Sequence, residues 1–149
     1  MGVITLYSIL VFFHIISALF LGVFLSYPFI LHRLFALKGH ELKTTLTTIL
    51  AFSRGGHYAL VFLLVSGVWM TMMYSSYPST LWLIVAMILL ILIGGLMGML
   101  LGQLKKGMQA EQPEMYLLEH RTTLTCYGWC LCLFIIVAIF IMTNRNLFV

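Results

Sequence analysis

One uninterrupted apolar stretch decides the fold: residues 81–104 read LWLIVAMILLILIGGLMGMLLGQL and contain no charged side chain. About 20 such residues in a helix cross the hydrocarbon core of a bilayer. Three further stretches, over 4–31, 58–74 and 122–143, have a similar character. Because a backbone exposed to lipid has to satisfy its own hydrogen bonds, we expect all four to be helices.

The composition of the whole chain agrees with a membrane protein. Of its 149 residues 62% are hydrophobic and 8% are charged, and the mean hydropathy is +1.10. Soluble domains are roughly a quarter charged, so a soluble enzyme, a disordered protein and a disulfide-stapled secreted domain are excluded. The net charge is +4, but the sequence has no phosphate-binding glycine loop and no basic–aromatic strip. No nucleic-acid partner is therefore expected.

The positions of Lys and Arg predict the orientation. Seven of the eight lie in the loops after the first and third spans, and only Arg145 lies on the other side. Cytoplasmic loops carry the excess of Lys and Arg in membrane proteins. The sequence therefore predicts a single transmembrane domain, 1–149, that is an all-α, antiparallel four-helix bundle in the plasma membrane with both termini outside.

The first cytoplasmic loop contains a further helical pattern. Within residues 40–52, leucine and isoleucine recur at helical spacing with Lys and Thr between them, which predicts an amphipathic helix at the membrane interface. The stripe stops at Ser53, which occupies its next apolar position. Gly55 and Gly56 then permit a bend into the second span. Pro28 is expected to kink the first helix near its inner end.

Small residues at every fourth position predict close packing between helices. Two such rows occur, one on the first span and one on the third: Ala18, Gly22 and Ser26, and Gly94, Gly98 and Gly102. We expect the first row to face a neighbouring helix of the bundle. The second row is expected to face its own bundle or, alternatively, a second copy or another membrane protein.

Three histidines are the candidate ligands for a cofactor or a metal. His14 lies about 15 Å into the first span, where an imidazole either binds a cofactor or forms a hydrogen bond to a Ser or Tyr of another helix. His57 and His120 begin the second and fourth spans, beside Arg54 and Arg121. These two histidines either anchor the helices at the interface or bind a haem iron while the arginines hold its propionates. His14 lies about 10 Å from their level, which disfavours a shared haem.

Several of these residues recur in a known group of proteins. The stretch 14–22 (HIISALFLG), followed by Pro28 and the pair at 32–33 (HR), resembles the first helix of small bacterial membrane proteins in the CopD-like and HemJ-like superfamily. Residues 54–57 (RGGH), followed by Ser–Gly at 66–67, are similar to the second helix of its uncharacterised members. The resemblance implies a bacterial plasma-membrane protein with four helices. It also implies that His14 stands where HemJ-type members carry a haem-linked histidine.

Two functions follow as hypotheses. The first is a haem-b-binding redox or haem-handling protein, with His14, His57 and His120 as candidate iron ligands. The alternative is a cofactor-free membrane subunit or assembly partner of a larger complex. A small transporter is disfavoured, because the four spans contain no Asp or Glu. The sequence itself assigns no enzymatic reaction.

The predicted orientation is testable with a single cysteine added at the N-terminus, in a variant without the three native cysteines. We expect a membrane-impermeant maleimide to label it in intact cells, because the basic loops retain the opposite side in the cytoplasm. Labelling only after the membrane is opened would contradict the orientation.

Overall fold

The computed structural model describes residues 2–73 and 80–144. These residues form six α-helices and one short 3-10 segment, and no strand occurs among them. In chain order the elements are α1 (Gly2–Gly22), the 3-10 segment (Val23–Ser26), α2 (Tyr27–Leu34), α3 (Gly39–Met73), α4 (Thr80–Gln109), α5 (Pro113–Glu119) and α6 (Arg121–Thr143). The loop over 75–79 and Arg145, which the predicted orientation uses, lie outside the described residues.

Four stretches of helix are long and apolar enough to cross a membrane, as the sequence predicts. They are Thr5–Leu34, Gly39–Met73, Thr80–Gln109 and Arg121–Thr143. Large apolar side chains on all four point away from the protein: Leu19, Val61, Ile91 and Leu133 each expose more than half of their surface. A soluble protein rarely shows so much contiguous apolar surface. The chain therefore fits a polytopic membrane protein whose exposed side chains contact lipid.

The first span changes helical type where its sequence requires it. A proline has no N–H and its ring crowds the preceding turn, so Pro28 cannot continue a regular α-helix. In the structure α1 tightens into the 3-10 segment at Val23, and Pro28 stands in the first turn of α2. The α-helix is thus interrupted within the turn before the proline, and the kink expected from Pro28 stays a prediction.

The prediction of a separate interfacial helix over 40–52 is wrong. The structure has one continuous helix, α3, which passes through Gly55 and Gly56 without a break. At 1.5 Å per residue α3 is about 50 Å long, well beyond the hydrocarbon core. Glycine permits a bend but does not cause one. Here the apolar stripe continues across the glycines, so the burial of Leu46 and Leu60 on either side holds the helix together.

The prediction that the buried stripe of this helix ends at Ser53 is also wrong, because the buried positions continue through Ser53 to Gly56 and beyond. Ser53 is 3% exposed, and its hydroxyl hydrogen bonds to the hydroxyl of Tyr27, 2.6 Å away. Because that partner satisfies the serine, a polar side chain occupies a buried position that a leucine would otherwise fill.

Contacts between neighbouring helices show that they run in opposite directions. Along α1 and α3, Phe13 meets Phe62 and Phe20 meets Gly55. Helix α4 packs on both α3 and α6, and α2 packs on α6. At the far end from the loops that carry Lys and Arg, the indole of Trp82 donates a hydrogen bond to the carbonyl of Ile141, 3.0 Å away.

The row of small residues on the first span is not its packing face. Ala18 and Ser26 are exposed, and a side chain added at Gly22 would meet nothing within 4 Å. The buried face instead consists of Ser17 and three larger residues, Leu21, Phe24 and Tyr27. The spacing of small residues alone could not reveal this, because the neighbouring positions on the helix are large and pack through interdigitating side chains.

The row on α4 contributes little to packing inside the chain. Gly94 is the member nearest a neighbour, with Leu60 at 3.4 Å from an added Cβ, whereas Gly102 has nothing within 4 Å. Gly98 and Gly102 are exposed. The prediction that the row packs against its own bundle is therefore wrong for Gly102, and the alternative of a second copy stays a prediction.

The closest approach of three elements occurs at Gly56, in the middle of α3. A Cβ at this position would overlap the ring of Phe24 and the terminal methyl of Met97. Phe24 is 1% exposed, and its ring lies 4.6 Å from that of Tyr27. Gly56 therefore allows the first span, α3 and α4 to meet.

We expect Gly56→Ala to lower the free energy of unfolding by about 1–3 kcal/mol, because the added methyl group overpacks this contact. Gly102→Ala is the matched control, since the same methyl group there enters open space. Unfolding of both variants in a mild detergent, followed by circular dichroism, measures the difference. Equal stability of the two variants would contradict the packing described for Gly56.

Candidate functional site

His14 of α1 is joined to α3 by a hydrogen bond within the membrane-spanning region. Its Nδ1 lies 2.7 Å from the hydroxyl oxygen of Ser66, which is 1% exposed. The Cε1 atom of the same ring lies 3.5 Å from the position of an added Cβ on Gly67. The imidazole thus faces α3, and the hydrogen bond to a serine of another helix, one of the two alternatives predicted for His14, is present.

The hydroxyl of Ser66 determines which imidazole nitrogen carries the proton. It lies 2.6 Å from the carbonyl oxygen of Phe62 and donates its proton there. A hydroxyl has only one proton, so Ser66 accepts from His14 and the Nδ1 of His14 is the donor. In the neutral imidazole, Nε2 then carries the free lone pair. Ligating histidines in metalloproteins use this arrangement, with one nitrogen donating a hydrogen bond and the other bound to the metal.

A second pair of hydrogen-bonded side chains, Tyr27 and Ser53, repeats this pattern further along the contact between the first span and α3, which we call the seam. The hydroxyl of Ser53 lies 2.8 Å from the carbonyl oxygen of Ile49 and donates to it. Ser53 therefore accepts from the hydroxyl of Tyr27. In both pairs the first span donates, and a serine of α3 accepts while donating to its own helix.

His57 occupies a different place on α3. Its Nδ1 lies 3.0 Å from the carbonyl oxygen of Ser53, and because a carbonyl only accepts, Nδ1 is again the donor. Its Nε2 lies 3.9 Å from the position of an added Cβ on Gly98. His57 is therefore a neighbour of α4, in contrast to His14, which lies between α1 and α3.

His120 caps the connection between α5 and α6. Its Nδ1 lies 3.0 Å from the carbonyl oxygen of Tyr116, and its ring stacks on the Tyr116 ring at 4.2 Å. The hydroxyl of Tyr116 donates to Gln103 of α4 at 2.8 Å. Tyr116 thus ties α5 to α4, and His120 packs on Tyr116. Whether His120 anchors the helix at the interface or binds a cofactor stays a prediction.

The two candidate arginines do not share an environment. The guanidinium of Arg121 lies 5.5 Å above the ring of Phe35, a cation–π contact that joins the start of α6 to the end of α2. Arg54 is exposed on α3. Neither arginine contacts His14 through any interaction found among the described residues.

The three histidines do not form one cluster. Nine residues of α3 separate His57 from Ser66, the partner of His14, which corresponds to about 13 Å along the helix axis. The difference in depth predicted between His14 and His57 thus agrees with their positions. Among residues 5–73 and 80–144, no group of three His, Cys, Asp or Glu side chains lies close enough to hold a metal ion.

Sequence reasoning did not identify which Ser or Tyr of another helix pairs with His14, and it missed the pair formed by Tyr27 and Ser53 in the seam. A serine inside an apolar span is common and inconspicuous, since it can satisfy its hydroxyl on its own helix. One signal was available: Ser53 takes a stripe position that spacing assigns to an apolar residue. A polar residue at such a position indicates a partner on the facing helix.

Comparison with known proteins gives no family for this chain. No protein-family model, no curated protein and no solved structure matches it. The resemblance to the CopD-like and HemJ-like superfamily stays a prediction from residues 14–22 and 54–57.

We expect Ser66→Ala to lower the free energy of unfolding in mild detergent by about 1 kcal/mol, because the Nδ1–H of His14 loses its acceptor. Ser26→Ala is the matched control: Ser26 also donates to its own helix, at 2.7 Å to Val23, but is exposed. If thermal unfolding shows the two variants to be equally stable, the bond between His14 and Ser66 does not stabilise the fold.

Proposed function

We propose that the chain is a multi-pass plasma-membrane protein that binds haem b, and that Nε2 of His14 would hold the iron. A role as a redox or haem-handling protein would follow. The observation that carries the proposal is the hydrogen bond from Nδ1 of His14 to Ser66. In a neutral imidazole this bond leaves the lone pair of Nε2 free, inside a span where polar groups are rare and commonly functional.

The surroundings of His14 favour haem over a bare metal ion. A bare ion such as Zn²⁺ needs about four ligands, and no group of three candidate side chains exists in the described part of the chain. A haem brings four nitrogens of its own and needs one protein ligand at a minimum. A single well-oriented imidazole is thus sufficient for haem and insufficient for an ion.

Two haem positions are possible, one on His14 and one near His57 and His120, and they differ in which arginines could bind the haem propionates. Arg54 is twelve residues from Ser66 on α3, about 18 Å along the axis, so it is remote from a haem on His14. Arg54 and Arg121 instead suit a haem at the inner end, near His57 and His120. Both of these histidines also keep Nε2 free, since Nδ1 donates to a carbonyl in each. We favour His14 because its partner is a side chain on another helix.

A cofactor-free membrane subunit or assembly partner is the second candidate function. The bond to Ser66 already satisfies one polar nitrogen of His14, so the residue could serve the fold alone. Gly98 and Gly102 are exposed on α4 and would admit the backbone of a second copy or of another membrane helix. In this version Gly94, Gly98 and Gly102 supply the contact surface.

The proposed arrangement in the membrane is an antiparallel four-helix bundle with both termini outside. The distribution of Lys and Arg supports this orientation. The origin in a bacterial plasma membrane rests on the resemblance of the first two spans to the CopD-like and HemJ-like superfamily. The contacts of α1 with α3 and of α4 with α6 fit such a bundle.

The absorption spectrum of the protein purified in detergent tests the proposal. We expect a Soret band with sharp α and β bands after reduction, and we expect His14→Ala to abolish them while the helical content is kept. His32→Ala is the matched control, because His32 is exposed on α2. A colourless protein, also after reconstitution with haem, would contradict haem binding and favour the cofactor-free subunit. Loss of the bands only in His57→Ala and His120→Ala would move the site to the inner end.

A further inference from the structure

An apolar groove lies between the inner half of the first span and the first turns of α3. Its wall consists largely of aromatic and aliphatic side chains, among them Phe20, Phe24, Ile30, Ile49 and Phe52. Its volume is about 350 Å³, within the range of about 300–1,000 Å³ that is usual for ligand sites. Phe52 exposes 52% of its surface at the rim. The groove therefore opens sideways, towards the region that lipid chains occupy.

The groove continues into a polar mouth at its inner end. The mouth has a volume of about 460 Å³ and is lined by Arg33 of α2 and by His40 and Glu41 of α3. Thr44 and Thr45 line both the groove and the mouth. One continuous surface thus passes from apolar to charged over about two turns of helix, as a membrane interface does.

Thr45 lies where the apolar groove joins the polar mouth, and its side-chain hydroxyl has no hydrogen-bond partner among the described residues. The neighbouring threonines on α3 donate to backbone carbonyls four residues earlier: Thr44 to His40, Thr47 to Lys43 and Thr48 to Thr44. Thr45 is half-buried and makes no hydrogen bond to any residue that the structure describes. It is available to a polar group located between an apolar chain and a charged head.

The charged side chains that line the mouth have no ion-pair partner among the residues that the structure describes. Neither Arg33 nor Glu41 forms an ion pair with any residue in 5–73 or 80–144. The mouth therefore offers a guanidinium, a carboxylate and an imidazole together, and its formal charge is balanced. A ligand that fits carries both an anionic and a cationic group, with the cation able to donate hydrogen bonds to a carboxylate.

We propose that this groove and its mouth bind one phosphatidylethanolamine molecule. An acyl chain fills the groove, and Thr45 donates to an ester oxygen of the glycerol. Arg33 and His40 donate to the phosphate, and Glu41 accepts from the primary ammonium group. The proposal is independent of haem binding, since none of these residues belongs to the proposed haem site.

Native mass spectrometry of the full-length protein tests the proposal with three dioleoyl lipids at equal concentration: phosphatidylethanolamine, phosphatidylglycerol and phosphatidylcholine. We expect phosphatidylethanolamine to bind roughly threefold to fivefold more tightly than either of the others, which is the range of one exposed charge pair. Phosphatidylcholine lacks the N–H donors, and phosphatidylglycerol lacks the positive charge.

Variants assign the preference to the mouth. Glu41→Gln is expected to reduce phosphatidylethanolamine binding to the level of phosphatidylcholine. The matched control Glu111→Gln changes an exposed acid that lines neither the groove nor the mouth, and it is expected to leave the preference unchanged. Val23→Trp narrows the exposed rim and is expected to weaken all three lipids. Equal binding of the three lipids, tighter binding of phosphatidylglycerol, or a preference that survives Glu41→Gln would each overturn the proposal.

Discussion

Two hydrogen bonds between the first span and α3 are the interactions on which the rest of the structure depends. In a bilayer the hydrophobic effect does not drive helices together, so packing and interhelical hydrogen bonds have to specify their register. His14 donates to Ser66 and Tyr27 donates to Ser53. Because two bonds in an antiparallel pair fix both translation and direction, the helices cannot slide without leaving two buried polar groups unsatisfied.

The register set by these two hydrogen bonds determines which other side chains of the first span, α3 and α4 come into contact. Gly56 lies between the two serines, and its missing side chain admits the ring of Phe24 and the end of Met97. The first span and α4 therefore both contact α3 at this level. At the end of the bundle that carries most of the Lys and Arg, Glu114 of α5 accepts a hydrogen bond at 2.8 Å from the backbone N–H of Gly39, whose φ of 54° favours glycine. That contact fixes the start of α3 and, with it, the shape of the groove.

The sequence predicts the membrane-spanning helices of this fold well and the contacts between them poorly. Four spans follow from length and hydropathy, and the interruption of the first span follows from Pro28, because both depend on local physics. Which face of a helix is buried depends on the partner helix. The small residues Ala18 and Gly98 therefore suggested faces that the structure leaves exposed. The histidine sites follow the same division: the separation of His14 from His57 along the helices was predictable, and which serine pairs with His14 was not.

Nitrogen NMR of the protein labelled with ¹⁵N in histidine, in detergent or in bilayers, tests the central claim most directly. The signals of His14 are assigned by their loss in His14→Gln. The account predicts a protonated Nδ1 and a bare Nε2 for His14, with the Nδ1 proton close in space to Ser66 and the pattern lost in Ser66→Ala. A His14 ring protonated on Nε2 with a bare Nδ1, or one unaffected by Ser66→Ala, would contradict it.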